Sequence, residues 1–241
     1  LRAEKNMRWN DPSLSFSRAI RWLVALWGAE VVPVVVSDLV AGRTTYVHRT
    51  DAHPHVEITN ADVLLPILAE RGIVVATDAR RSSVVEQARR LAIAAGGVVD
   101  TDAQSALVDE ITNLVEEPHG ILGSFDPRYL ELPERILTSV MAKHQRYLPV
   151  RDAYGRLMNH FVTMANGACD DDVVRTGNES VLRARYEDAL FFWNADLKAG
   201  SAEEFVPGLA KLTFEERLGS VGERAGRIRA VAEGLAGLLA E

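Results

Sequence analysis

Met141-Ala142-Lys143-His144-Gln145-Arg146-Tyr147-Leu148-Pro149-Val150, read as MAKHQRYLPV, is the point where a helical pattern hands over to an extended one. Upstream, Leu132-Pro133 opens the helix, since proline suits a first helical turn. At about 100° per residue, Ile136, Leu137, Val140, Met141, His144, Tyr147 and Leu148 fall on one side of a helix over 134–147. Lys143 and Arg146 lie away from the middle of that stripe. The wheel turns His144 toward a core, as a neutral histidine satisfied by a carbonyl or carboxylate, and leaves Gln145 and Arg146 for solvent or a partner. Downstream, LPVRD and HFVTMA flank Ala153-Tyr154-Gly155, a hairpin pattern.

The order of elements to either side points to an α+β fold rather than a regular strand–helix alternation. RWLVALW and VVPVVV flank Gly28-Ala29-Glu30 as two apolar strands joined by a tight turn, and TTYVHR and HVEI read as further strands. Before them, Asp11 and Pro12 predict a short helix to about Ile20. Helices follow over Ala61–Arg71, Arg80–Ala95 and about Ala103–Val115, the first stopped by Gly72 and the second by Gly96-Gly97. Pro118, Gly120 and Gly123 bracket a short strand around Ile121-Leu122. From Asp171 onward the chain reads as mostly helical. The division expected is a strand-rich unit over 1–58, a mixed unit with a late hairpin over 59–200 and a helical segment over 201–241.

Within the helical part, Asn178 reads as an N-cap with Glu179 favourably placed in the first turn. Val181, Leu182, Tyr186, Ala189, Leu190, Phe192 and Trp193 then cover one half of the cylinder. Arg185 falls inside that half, where a permanent cation needs a partner, and Asp188 at i+3 is the local carboxylate. Arg183 falls on the polar side.

Composition narrows the classes. The 241 residues are 47% hydrophobic and 25% charged, the profile of a globular chain with one large or two modest domains. No apolar run reaches the roughly 18–20 residues of a membrane span, and the first residues lack a signal-peptide pattern, so a cytoplasmic location without membrane partners is expected. Leu1 and the unsignalled helical tail suggest a piece of a longer chain. Cys169 is the sole cysteine, which excludes an internal disulfide and a multi-cysteine zinc site. A net charge of −7 opposes nonspecific attraction to nucleic acid over the whole surface while allowing a local basic face.

Candidate chemistry is sparse. His53-Pro54-His55 has no ligand cluster nearby, Asp170-Asp171-Asp172 reads as a solvated turn entering a helix, and Gly96-Gly97 reads as a helix stop. The Arg80-Arg81 and Arg89-Arg90 pairs read as a solvated helix face. No phosphate-binding glycine loop, dinucleotide fingerprint or nucleophile elbow occurs, so no catalytic residue and no metal ligand is assigned.

The run MAKHQRYLPVRDAYGRLMNHFVTMANG, then VRTGNESVLRARYEDALFFWNADLK and LTFEERLGSVGERAGRI, closely resembles the β subunit of bacterial glycyl-tRNA synthetase. Upstream, MRWNDPSLSFSRAIRWLVALWG and AGRTTYVHR are similar to the same family's earlier block. The resemblance covers nearly the whole chain. It departs at Ala19, where the family usually has proline, and at Val47 and Thr50, which replace glycine and phenylalanine around His48-Arg49. These departures bear on local turn geometry.

The resemblance implies an enzyme of two α and two β chains, in which the α subunit activates glycine with ATP and magnesium and the β chain grips tRNA for glycine. It implies no cofactor in this stretch, and places an HD-type helical domain and an anticodon-binding domain after it. Part of the region is also related to a domain of the phenylalanyl-tRNA synthetase β subunit, which raises an editing hydrolase as a second reading and a structural spacer as a third. His144, Tyr147, Asn178, Arg185 and Asp188 are expected to be structural. Lys143, Arg146, Arg175 and Arg183 are the candidate tRNA-facing set, because long cationic side chains suit phosphate positioning.

Overall fold

A computed structural model describes residues 7–8, 15–16, 20–48 and 51–239. They fall into two compact units, divided between Ala184 and Arg185.

The first unit opens with small antiparallel ribbons. Strands β1 (Met7–Arg8) and β2 (Ser15–Phe16) pair, as do β3 (Leu26–Trp27) with β4 (Glu30–Val31), β5 (Val35–Val36) with β6 (Leu39–Val40), and β7 (Thr44–Tyr46) with β8 (His55–Glu57). The turn expected at Gly28-Ala29 is present, with Gly28 at φ 56°, a region glycine enters without a steric cost. The helix expected from Pro12 to Ile20 is corrected at Ser15 and Phe16, which pair as a strand with β1; its remaining positions before Ile20, and the departures at Ala19 and Thr50, lie outside the described residues. Val47 is buried, and its N–H donates to Pro54 O at 2.9 Å.

Helices α1 (Leu64–Glu70), α2 (Thr77–Ala94) and α3 (Ser105–Leu114) follow, close to where the stop signals put them. Gly72 and Gly96 both take positive φ at the helix ends, the left-handed geometry that closes a last turn. Then come β9 (Pro118–Ser124), α4 (Glu134–Ser139), β10 (Leu148–Arg151) and β11 (Leu157–Asn166). The expected hairpin is β10–β11, turned by Asp152–Arg156 with Gly155 at φ 81°. β9 is longer than the short strand read from Ile121-Leu122, because its glycines lie inside the strand rather than at its ends.

These three strands form an antiparallel sheet in the order β10-β11-β9. Helix α2 packs against it and α3 packs against α2. The core sits at that junction: Val84, Ala88 and Ala92 from α2, Val108 and Ile111 from α3, and Leu148, Val150 and Val162 from the sheet. The alanines allow α2 to lie close to the strands. Gly97 makes a similar approach, since a Cβ there would stand 2.5 Å from Val150 Cγ1 and 2.7 Å from Arg151 O.

Helix α5 (Asp171–Lys198) begins in the first unit and ends in the second. The second unit continues with a 3₁₀ stretch (Ala202–Lys211), a ribbon of β12 (Thr213–Glu215) and β13 (Gly219–Ser220), and α6 (Val221–Leu239), which packs on the 3₁₀ stretch. This part is mainly helical as expected, with the ribbon as an addition. Glu223 holds the ribbon to α6 by accepting from the Ser220 N–H at 2.7 Å. Among the described residues, no helix is long and apolar enough to cross a membrane.

Two glycines test this packing in opposite directions. Gly97→Ala forces backbone or core side chains apart and costs about 1–3 kcal/mol of stability. Gly226→Ala, on α6 with nothing within 4 Å of its added Cβ, gains about 0.4–1 kcal/mol by reducing the freedom of the unfolded chain. Denaturant midpoints at unchanged m-value read both effects.

Candidate functional site

β11 binds only one side of β9, so the alternate backbone groups of β9 face away from the sheet, and an edge strand's free N–H and C=O groups need partners. Side chains supply them. Gln87 on α2 donates from Nε2 to Pro118 O at 2.8 Å and accepts the Gly120 N–H on Oε1 at 2.8 Å. Two residues on, Arg175 Nε donates to Leu122 O at 3.0 Å. Glu179 Oε1 accepts the Ser124 N–H at 2.8 Å and its hydroxyl at 3.1 Å. Residues 118, 120, 122 and 124 are thus all engaged, and α5 is aligned along the strand.

Arg175, Glu179, Leu182 and Tyr186 recur at helical spacing, so one stripe of α5 carries both the polar contacts and the buried Leu182 and Tyr186. Asn178 stands beside that stripe and accepts from the Tyr147 hydroxyl on Oδ1 at 2.7 Å. Tyr147 is buried and stacks on Phe161, with ring centroids 4.7 Å apart. The same end of the sheet carries a cleft of about 460 Å³ lined by Ser124, Asp126, Arg128, Asn159, Glu179 and Arg183, among others. His160, opposite Ser124 on β11, is held below the ordinary histidine range by burial, against the raising effect of the Glu179 charge.

The four candidate cations divide. Arg175 is committed to Leu122 O and to Asp172, with Nη1 at 2.5 Å from Oδ1. Arg146 donates from Nε to Glu110 Oε1 at 2.9 Å, a pair open to solvent on both sides. Lys143 is exposed. Arg183 is exposed as well and lines the cleft, and its Nη2 donates to the Ser180 hydroxyl at 3.5 Å. Among the described residues, neither Lys143 nor Arg183 has a carboxylate within ion-pair reach.

Three expectations are corrected. His144 is exposed rather than turned to the core, because the α-helix widens into a π-type stretch over Val140–Gln145 and the 100° wheel loses phase. Arg146 ends that stretch in the left-handed region at φ 59°, and Met141 O accepts from both the Arg146 and Tyr147 N–H groups. Asn178 is not an N-cap: α5 starts seven residues earlier at Asp171, where the Asp170 carboxylate accepts the Asp172 and Val173 N–H groups. Of Asp170-Asp171-Asp172, read as a solvated turn entering a helix, Asp170 precedes α5 while Asp171 and Asp172 already belong to its first turn, all three exposed. Arg185 is exposed and no Arg185–Asp188 ion pair forms. The apolar half drawn around it is too wide, since Val181 and Phe192 are exposed too.

Sequence reasoning missed Gln87 and Glu179 as partners of β9. The spacing from Arg175 through Glu179 to Leu182 and Tyr186 was a readable signal; Gln87 had none. A separate group of possible metal donors, His119, Cys169 and Asp171, also converges here.

The family model described as glycyl-tRNA synthetase beta subunit matches residues 1–241. The chain is 43% identical over 238 residues to the glycine–tRNA ligase beta subunit of Desulfitobacterium hafniense (strain Y51), covering 98% of this chain and 34% of that protein. It is 37% identical over 234 residues to the Bacillus subtilis (strain 168) beta subunit, covering 96% and 34%. A chloroplastic/mitochondrial glycine–tRNA ligase of Arabidopsis thaliana is 38% identical over 225 residues, covering 93% and 21%. The chain spans about a third of the length of the beta subunits it matches.

The Tyr147–Asn178 bond is testable in two pH ranges. Tyr147→Phe leaves the Asn178 oxygen without its donor and costs about 1–2 kcal/mol at neutral pH. Burial pushes the Tyr147 hydroxyl up from 10.0 to about 12. The unfolded chain therefore releases this proton first, and stability falls as pH rises from about 10 toward 12. Chemical denaturation across that window should show a shallower fall for Tyr147→Phe than for the parent.

Proposed function

The chain belongs to the glycyl-tRNA synthetase β-subunit family, and from that membership we propose that it is a tRNA-binding and scaffolding portion of a glycine–tRNA ligase. In this reading the ligation is carried out with an α subunit that uses ATP and magnesium, in an assembly of two α and two β chains in the cytoplasm. The chain supplies a rigid surface for tRNA and no cofactor of its own. The three segments 1–58, 59–200 and 201–241 are proposed as its modules.

One observation carries the tRNA contact: Lys143 and Arg183 are exposed cations without a carboxylate partner among the described residues. A phosphate oxygen completes the hydrogen bonding of such groups without first breaking an ion pair. Arg146 is the next candidate, because an exposed pair such as its contact with Glu110 is worth only about 0–1 kcal/mol and exchanges readily. Arg175 contributes by holding α5 in place, and its remaining guanidinium surface is the least available of the four. Phosphate contacts of this kind fix register and affinity without reading bases.

The test is binding of tRNA for glycine to the assembled enzyme over a salt series. Lys143→Glu with Arg183→Glu should weaken binding and reduce the steepness of log affinity against log salt by about 0.9 for each phosphate no longer neutralised. Arg146→Glu should have a smaller effect, and Arg175→Glu should lower folding stability as well as affinity. An affinity and slope unchanged in the double variant would leave the spacer reading in place of this one. Release of amino acid from mischarged tRNA by the assembled enzyme would support an editing role.

A further inference from the structure

We propose that His119, Cys169 and Asp171 bind a single divalent cation of the zinc class, with water completing its coordination. The three come from different places: β9, the turn after β11, and the first residue of α5. His119 Nε2 donates to Asp171 Oδ1 at 2.7 Å, and Cys169 Sγ lies 3.9 Å from that oxygen. All three donor atoms lie within 4.8 Å of one another. In a tetrahedral site with bonds of about 2.0–2.3 Å, donor atoms stand roughly 3.3–3.6 Å apart. The observed spacings straddle that range, and Cys169 and Asp171 are exposed, so small side-chain rotations bring the donors to it.

The neighbouring acids show why one carboxylate and not a general acidic patch is involved. Asp170 is committed to the N–H groups of Asp172 and Val173, and Asp172 is paired with Arg175. Asp171 alone turns back to His119. An imidazole, a thiol and a carboxylate form a borderline-soft set that suits zinc or cobalt, whereas calcium and magnesium favour all-oxygen shells.

A bound dication holds the Cys169 sulfur as a thiolate, because a metal-coordinated thiol is deprotonated. As the metal–sulfur bond forms, the thiol proton passes to water. The imidazole moves its proton from Nε2 to Nδ1 through water, which frees the Nε2 lone pair for the metal, and Asp171 exchanges its hydrogen bond for a metal bond. The ion ties β9 to the start of the helix whose Arg175 and Glu179 close the same strand's edge.

Cobalt(II) titrated into the reduced, metal-free chain tests the site. A saturable four-coordinate spectrum with thiolate charge-transfer absorption, at a single equivalent, is expected, with zinc displacing cobalt and magnesium failing to do so. Cys169→Ser should remove the charge-transfer band, and His119→Ala should weaken cobalt affinity by at least the roughly 10–100-fold that loss of even an outer partner costs. His53→Ala with His55→Ala should leave the signal intact. A six-coordinate spectrum without charge transfer, affinity undiminished in His119→Ala, or a signal that disappears with His53 and His55 would overturn the proposal.

Discussion

The outward edge of β9 is the constraint on which the first unit is built. Its backbone groups at Pro118, Gly120, Leu122 and Ser124 cannot pair with β11, and each buried group left unpaired costs about 1–3 kcal/mol. Gln87 reaches the edge from one helix, and Arg175 and Glu179 reach it from another. Satisfying the edge therefore places α2 and α5 along one strand. The same contacts cap an edge that would otherwise be open to pairing with another chain.

That solution consumes charge. The chain carries 27 basic residues against 34 acidic ones, and several of its arginines are drawn into ion pairs. Arg175 is drawn in by the β9 edge and Asp172, while Arg183, two turns further along α5, projects at the cleft. A local anion-binding face on a negatively charged protein then depends on which arginines the fold has already used. Glu179 links the two roles, binding Ser124 on one side and lining the cleft on the other.

The widened turn over Val140–Gln145 is the second device. It lets Met141 and Tyr147 both be buried while His144 and Lys143 stay at the surface, an arrangement that a regular helix over these residues does not give. Tyr147 then lies on Phe161, and its hydroxyl reaches Asn178. A π-type stretch costs backbone regularity, and here it sets the direction in which the chain enters β10.

Sequence alone determined the local elements: the helices ended by Gly72 and Gly96, the hairpin turned at Gly155, the ribbon turned at Gly28, and the motifs from which family membership was read. Glycine conformations and short-period hydrophobic patterns act over a few residues, so they are visible in a linear chain. The tertiary structure decided the rest. Asn178 became a hydrogen-bond acceptor inside a helix because Tyr147, 31 positions away, lies opposite it. Arg175 became a strand-edge partner because Leu122 O had no other donor, and His144 left the core because the helix changed its pitch. Each of these outcomes depends on which polar group elsewhere in the chain remains unsatisfied, and a residue's near neighbours in sequence do not carry that information.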